Sequence, residues 1–313
     1  MKRSRTFLSG LFVALVVVLP SVGASGNFAK SKADAGQEQM LVSVDWLSKH
    51  FSDPSFVLLH ISKKEEYDAA HIPGAQYLEY HDISTPHGAG LMLELPPMAQ
   101  LVSVFEKLGI SNKSRVILYF GNDWVSPTTR VYWTIDTMGL GPRTSILDGG
   151  LPAWRAAGKP LTTEVKTATQ GSITPEPRTD IFADAAWVSS HLNQPNVTIL
   201  DARNREFYTG EKSDGNPRQG HIPGASNLPF PELVDEKSSK FKNPDAIQEL
   251  FENAGLKPSN LMVSYCHIGQ RATVLYFAAK MLGYHARMYD GSWEEWSKSP
   301  NLPIVRGDKP GKP

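Results

Sequence analysis

The sequence predicts an α/β fold in which two successive domains each build a parallel β-sheet flanked by helices. Three observations lead to it. First, the chain repeats itself. His71-Ile72-Pro73-Gly74-Ala75 recurs as His221-Ile222-Pro223-Gly224-Ala225, and Leu108-Gly109-Ile110 is echoed by Ala254-Gly255-Leu256. Asp148-Gly149-Gly150 with Trp154 matches Asp290-Gly291-Ser292 with Trp296. Three matches in one order indicate a duplicated domain, and their shrinking offset places two short insertions in the first copy. Second, each copy alternates strand-like and helix-like segments, the pattern of a parallel sheet covered on both faces. Third, 313 residues with 41% hydrophobic content and seven Trp are enough for two cores.

At the N-terminus, Lys2, Arg3 and Arg5 precede an unbroken apolar run from Leu11 to Leu19, and Val22-Gly23-Ala24 supplies small residues. That order reads as an export signal over 1–24, which implies the periplasm in a Gram-negative bacterium and secretion otherwise. The rival reading, a membrane anchor, falls short of the roughly 20 apolar residues that span a bilayer. The first domain is expected over 40–160. Gly158 to Asp184, rich in Thr, Pro and Gly, reads as a linker centred on 161–182. The second domain is expected over 183–307. It opens with the run Val197–Leu200, which ends in Asp201 before a Gly/Pro-rich loop. A helix is expected over Pro244–Asn253, with Ile247, Leu250 and Phe251 on one face. Leu261–Tyr265 is an apolar run, short and bounded, as a buried parallel strand is. A helix over Ala272–Leu282 ends at Gly283.

Charge excludes some functions. With 32 Lys+Arg against 32 Asp+Glu, nothing marks a nucleic-acid or anionic-membrane partner. Nine His occur without an HExxH, a CxxC or a close His pair, so no metal is expected.

Cys266 is the only cysteine, so no internal disulfide forms, and in an exported protein a lone thiol is either buried and inert or exposed for a reason. It sits in Cys266-His267-Ile268-Gly269-Gln270-Arg271, between the carboxyl end of a buried strand and the start of a helix. Open α/β sheets bind ligands there, and free backbone N–H groups with the helix dipole favour an anion. A thiolate at such a place is a better nucleophile near neutral pH. Gly269 permits the tight backbone path. A buried structural cysteine is the alternative, and a polar, Gly-containing loop is a poor place for one.

With these motifs together, the chain resembles a tandem-domain sulfurtransferase of the rhodanese family over nearly all of its expected mature length. The resemblance rests on the Asp201-Ala202-Arg203 turn, the His-Ile-Pro-Gly-Ala motif in both copies, the cysteine loop and the Asp-Gly-Gly/Ser…Trp ending. It implies two rhodanese-like domains, the second catalytic and the first a degenerate copy. The first-copy counterpart, Val116 to Trp124 and on to Arg130, has no cysteine and spans 11 positions from Tyr119 to Arg130 against six from Tyr265 to Arg271. Related phosphatases use Cys-x5-Arg. The Cys-x4-Arg loop here implies a cradle sized for sulfur rather than phosphate.

The resemblance further implies double displacement. Cys266 takes sulfur from a donor such as thiosulfate as a persulfide and passes it to cyanide or a thiol, with no metal or organic cofactor. His267, Ile268, Gly269, Gln270, Arg271 and Arg203 are the candidate substrate-binding residues. A structural ion pair with Asp201 or Glu206 is an equal reading of Arg203, and Arg218 has no firm assignment. His267 and Arg271 favour a dianion, thiosulfate, over mercaptopyruvate, although the loop matches neither family pattern. A module that carries a persulfide without turnover is a further reading. His71 and His221 read as structural, because both copies keep them although only one keeps the cysteine. Trp154 and Trp296 read as core residues for the same reason. The two fused domains imply a self-contained monomer.

Overall fold

The computed structural model describes residues 40–312 apart from 87, 123 and 214, so the export signal expected over 1–24 lies outside the described residues. The first domain runs β1 (Leu41–Val42), α1 (Val44–His50), β2 (Phe56–Ile61), α2 (Lys64–Ala69), β3 (Gln76–Tyr77), α3 (Met98–Lys107), β4 (Arg115–Phe120), α4 (Val125–Thr137), β5 (Thr144–Leu147) and α5 (Gly150–Ala156). The second runs β6 (Phe182–Ala183), α6 (Ala185–Ser190), β7 (Val197–Asp201), α7 (Arg205–Thr209), β8 (Ser226–Asn227), α8 (Pro244–Asn253), β9 (Leu261–Tyr265), α9 (Ala272–Met281), β10 (Ala286–Tyr289) and α10 (Ser292–Lys298). Both sheets are five-stranded, with orders β1-β5-β4-β2-β3 and β6-β10-β9-β7-β8. Every pairing within them is parallel. The fold is thus two copies of one helix-flanked parallel sheet.

The central strands are largely apolar because helices cover both faces. Val116 to Phe120 in β4 and Met262 to Tyr265 in β9 are buried without interruption. Local chemistry sets the helix starts. Ser43 and Asp184 occupy equivalent N-caps and accept from the backbone N–H of Trp46 and Trp187. Asn243 caps α8 with Pro244 at its first position.

The repeated motif holds each domain's exit segment. Rings of His71 and His221 stack on Tyr67 and Tyr208 at 3.9 and 3.7 Å between centroids. Their Nε2 atoms lie 3.1 Å from the carbonyl oxygens of Glu164 and Lys309, both beyond the domains' last helices. Gly74 and Gly224 adopt φ of +81° and +80°, which a β-carbon disfavours. Tyr119 and Tyr265 seal both motifs by accepting from the N–H of Ile72 and Ile222 at 3.1 Å. Trp154 and Trp296 are buried, and each indole N–H donates to a carbonyl, Pro160 and Pro303 respectively, at 2.8 Å.

The two domains meet about a pseudo-twofold axis between α4 and α9. Thr129 and Thr273, 144 positions apart, hydrogen-bond to each other at 2.8 Å. The Tyr132 ring meets Phe277 edge-on at 4.8 Å. Asp136, fully buried, accepts from the Tyr276 hydroxyl at 2.7 Å and pairs with Lys280 and Arg178. A single hydrophobic core runs through both domains at this contact. This register also corrects one expectation. Arg130 lies one position beyond Thr129, so the place of Arg271 is taken in the first copy by Pro127, and Arg130 belongs a turn further into its helix.

Candidate active site

Cys266 follows β9 directly, and α9 begins at Ala272, so the loop between them is as the sequence placed it. The Cys266 N–H donates to Ser292 Oγ at 3.2 Å, and its carbonyl accepts from Trp293 N–H at 3.0 Å. The His267 carbonyl accepts from Glu294 N–H at 2.9 Å. Ser292, at φ +51°, therefore fixes the loop from the start of α10. Gly269 has φ +79°, and a β-carbon there would lie 2.7 Å from both the carbonyl oxygen and Oδ1 of Asp290. It is a backbone position, buried in the wall, and not a ligand-facing side chain.

Two features of the loop bear on chemistry. The backbone N–H groups of Ile268, Gly269, Gln270 and Arg271 have no acceptor among the described residues. They form an anion cradle at the start of α9. Cys266, although only 1% exposed, lies at the floor of an open cleft of about 860 Å³. The expectation that such a loop would leave the cysteine exposed is thus replaced by a buried sulfur reached through a cleft. The described ionisable residues bordering that cleft are Cys266, His267, Arg271 and Lys298, and none is a carboxylate. His267 meets the Phe207 ring edge-on at 4.7 Å, and the exposed Arg271 guanidinium stands 5.4 Å from the Phe230 ring centre.

Arg203 is corrected: it does not border the cleft. Its Nε and Nη2 donate to Asp201, its Nη2 also to the Gly220 carbonyl at 2.6 Å, and it lies over the Trp293 ring at 4.4 Å. Both partners of the ion pair are buried, so the structural reading holds. Arg218 is likewise structural. Its guanidinium donates to the carbonyls of Trp296, Ser297 and Leu302 at 2.8 to 2.9 Å and to that of Ser299, which satisfies the C-terminal end of α10. Trp293 and Trp296 are buried core residues and do not line the cleft between domains.

The first domain contributes residues that the repeat did not reveal. Met92 and Trp124 border the cleft, and the Trp124 ring meets Phe230 across the domain boundary at 5.8 Å. Arg130 reaches from α4 to the back of the cysteine loop. Its Nη1 donates to Asp290 Oδ1 at 2.5 Å and to the Gly269 carbonyl at 3.3 Å, and its Nη2 donates to the Leu93 carbonyl. Burial opposes its charge, but the Asp290 carboxylate overcomes this and holds its pKa above the ordinary guanidinium value. The available sequence clue was a single cation in Val125–Thr137, whose only other charged residue is Asp136.

The equivalent loop of the first domain is filled from within. Gly121 N–H bonds the Ile61 carbonyl at 3.3 Å, and Asn122 N–H donates to Glu66 Oε2 at 2.9 Å. Phe207 occupies the place of Glu66 in the second copy, as Tyr208 does that of Tyr67, so the N–H groups of Ile268, Gly269, Gln270 and Arg271 meet no acceptor among the described residues. Where the second copy has the Asp201–Arg203 pair, the first has His60 and Ser62, with Nε2 and Oγ 2.6 Å apart. Burial holds the His60 pKa down to about 4, so this contact is neutral.

Comparison with known proteins agrees with this architecture. A rhodanese-like domain model matches residues 43–157 and again 184–299. The chain is 32% identical to the sulfur carrier protein TtuD of Thermus thermophilus, covering 87% of this chain and 98% of that one. It is 31% identical to a probable 3-mercaptopyruvate sulfurtransferase of Pseudomonas aeruginosa over 86% and 98% of the two chains. With the thiosulfate sulfurtransferase of Azotobacter vinelandii it shares 30% identity over 82% and 94%. Among solved structures, the 3-mercaptopyruvate sulfurtransferase SseA of Escherichia coli superposes with a TM-score of 0.72 at 26% identity, covering 82% of this chain and 99% of that one. Two rhodanese-like domains, each on its own parallel sheet and joined across α4 and α9, place the chain in the rhodanese family as a tandem-domain sulfurtransferase.

Proposed function

We propose that Cys266 carries the transferred sulfur as a persulfide and that thiosulfate is the donor. The observation that supports this most directly is the run of four N–H groups, from Ile268 to Arg271, that meet no acceptor among the described residues, in a cleft bordered by Arg271 and Lys298. In the first half-reaction Cys266 Sγ, as thiolate, attacks the outer sulfur of thiosulfate. The S–S bond of the donor breaks, its electron pair leaves with sulfite, and a Cys266 persulfide anion remains. The loop N–H groups stabilise both the leaving sulfite and the terminal sulfur. In the second half-reaction a thiolate or cyanide attacks that terminal sulfur, and the electron pair returns to Sγ. No outside oxidant or reductant is needed, and ping-pong kinetics follow.

Thiosulfate is preferred because Arg271 and Lys298, the described charged side chains at the cleft, are cationic and thiosulfate carries two negative charges. 3-Mercaptopyruvate remains the second reading, supported by the apolar walls from Met92, Trp124, Phe207 and Phe230. Treating the protein with thiosulfate and analysing it by mass spectrometry tests the main reading. One added sulfur, about 32 Da, is expected on the Cys266 peptide, as covalent catalysis requires. Cys266→Ser should lose all transfer while unfolding like the wild type; transfer by that variant would mean another nucleophile. A higher kcat/KM with 3-mercaptopyruvate than with thiosulfate would reverse the choice of donor. The export signal expected at the N-terminus extends the proposal to a periplasmic or secreted site of action.

A further inference from the structure

The cleft over Cys266 is larger than thiosulfate requires. Its volume of about 860 Å³ lies within the range of sites that enclose drug-sized ligands, whereas thiosulfate engages only the cysteine loop and its cations. The remaining space has apolar walls from both domains, Met92 and Trp124 from the first and Phe207 and Phe230 from the second. Among the described residues, the large hydrophobic side chains left exposed are Met92, Trp124 and Val165, and two of these three meet at this one cleft. Apolar side chains gathered around a reactive centre, instead of scattered singly, mark a surface for ligand contact. Met92 is also held in place. Its N–H donates to Glu294 Oε2 at 2.9 Å across the domain boundary, 202 positions along the chain. The next carbonyl, that of Leu93, accepts from Arg130. Leu93 adopts φ +60°, a left-handed conformation that a leucine keeps only where its surroundings impose it. Glu294 is itself buried. Its other oxygen accepts from Lys298 Nζ at 2.6 Å, and its own N–H donates to the His267 carbonyl at 2.9 Å. One carboxylate thus ties the first-domain rim to a cation of the cleft and to the helix behind the cysteine loop.

We infer that Met92 and Trp124 are specificity-determining residues of the second half-reaction, gripping the apolar body of an acceptor thiol. Glu294 is the positioning residue that fixes Met92 there. The acceptor class is a low-molecular-mass alkyl thiol ending in a carboxylate. Arg271, 5.4 Å from the Phe230 ring centre, puts a cation beside the apolar wall, and the departure of sulfite leaves it and Lys298 open to that carboxylate. The acceptor thiolate attacks the terminal sulfur of the Cys266 persulfide. The S–S bond breaks with its electron pair returning to Sγ, and the acceptor leaves as a persulfide. Cys266 is only 1% exposed, so a slender chain reaches it where a folded protein surface does not. The domain without a cysteine thereby takes part in the choice of acceptor.

The inference rests on the persulfide reading of Cys266, and one experiment separates the two. The full-length protein is loaded with thiosulfate, its persulfide is confirmed by mass, and turnover is measured with 3-mercaptopropionate and with 6-mercaptohexanoate. These alkyl thiols have nearly equal basicity, so steps common to both cancel in the ratio of their kcat/KM values. Each added methylene is worth roughly fourfold when buried, so the wild type should prefer the longer acid by roughly tenfold or more. Met92→Ala and Trp124→Ala, both at exposed side chains, should each bring that ratio several-fold closer to one. Glu294→Ala should do the same, and Glu294→Gln should restore most of the preference, because its amide oxygen still accepts from the Met92 N–H. 6-Aminohexane-1-thiol, with a cation in place of the carboxylate, should be the poorer acceptor by at least several-fold. A persulfide that passes to neither acid, a wild-type ratio near one, Met92 and Trp124 variants that keep the wild-type ratio, or an amine as good as the acid overturns this inference alone. Glu294→Gln no better than Glu294→Ala overturns the positioning role. No persulfide on the wild type overturns the inference together with the Cys266 reading.

Discussion

Replacing Arg130 by Leu should destabilise the protein by about 3–5 kcal/mol, the range for removing one partner of a buried ion pair. The guanidinium is almost wholly enclosed, and its partner Asp290 is only 18% exposed at the side chain. After the substitution the Asp290 carboxylate, the Gly269 carbonyl and the Leu93 carbonyl all lose a charged donor, and leucine offers nothing in return. The energy comes mainly from the carboxylate left without a counter-charge. The double variant Arg130→Leu/Asp290→Asn should therefore recover a substantial part of the loss. Equilibrium urea unfolding followed by tryptophan fluorescence and by circular dichroism gives the free energies, provided both probes report one transition. Lys64→Ala serves as the exposed control: its i,i+4 pair with Asp68 is half exposed at both side chains and should be worth no more than about 0.5 kcal/mol. Sulfur transfer should fall with Arg130→Leu as well, because Gly269 lies within the cysteine loop. A single variant within about 1 kcal/mol of wild type, or a double variant no better than the single, would refute the buried-pair account.

Gly269→Ala combines a left-handed φ with a clash against Asp290, so a loss of roughly 1–3 kcal/mol is expected by thermal unfolding, with weakened transfer. A variant as stable and active as wild type would show that the loop relaxes freely. Asp148 accepts from Phe241 N–H across the domain boundary at 3.0 Å, and burial raises its pKa to about 6. The folded state then binds the extra proton between the ordinary carboxylate value and about 6, so stability falls as pH rises through that window. Asp148→Asn keeps the acceptor and removes the charge; it should flatten this slope and add up to roughly 3 kcal/mol at pH 7. An unchanged pH profile would count against it. His60 gives the opposite sign. Its folded pKa, about 4, lies below the free value of 6.5, so stability is lost as pH falls from 6.5 towards 4. His60→Gln should lessen that acid slope in urea midpoints taken across pH, and an identical slope would exclude His60 as its source.

The sequence by itself determined the duplication, the strand–helix alternation and the place of Cys266. Each is written in short, local patterns. Leu261–Tyr265 is apolar because both faces of a parallel strand are covered, and Pro244–Asn253 begins at a capped proline and carries one apolar face. The structural role of His71 and His221 was legible for a similar reason, since both copies keep the motif to hold their exit segments.

Tertiary structure decided what depends on contacts between distant segments. Arg203 sits within the right turn for a ligand contact, yet Asp201, two residues away, captures its guanidinium, and Trp293 covers it. Nothing along the chain ranks that partner against a substrate. Arg130 looked like a displaced copy of Arg271 until the Thr129–Thr273 contact fixed the helix register and brought it to Asp290, 160 positions away. Met92 and Trp124 carried no sequence signal because Phe230 and the cysteine loop, with which they form the cleft, come from the other domain. The loop chemistry of Cys266 is local and could be read from residues 261–271, whereas its walls are built by folding one copy of the domain against the other.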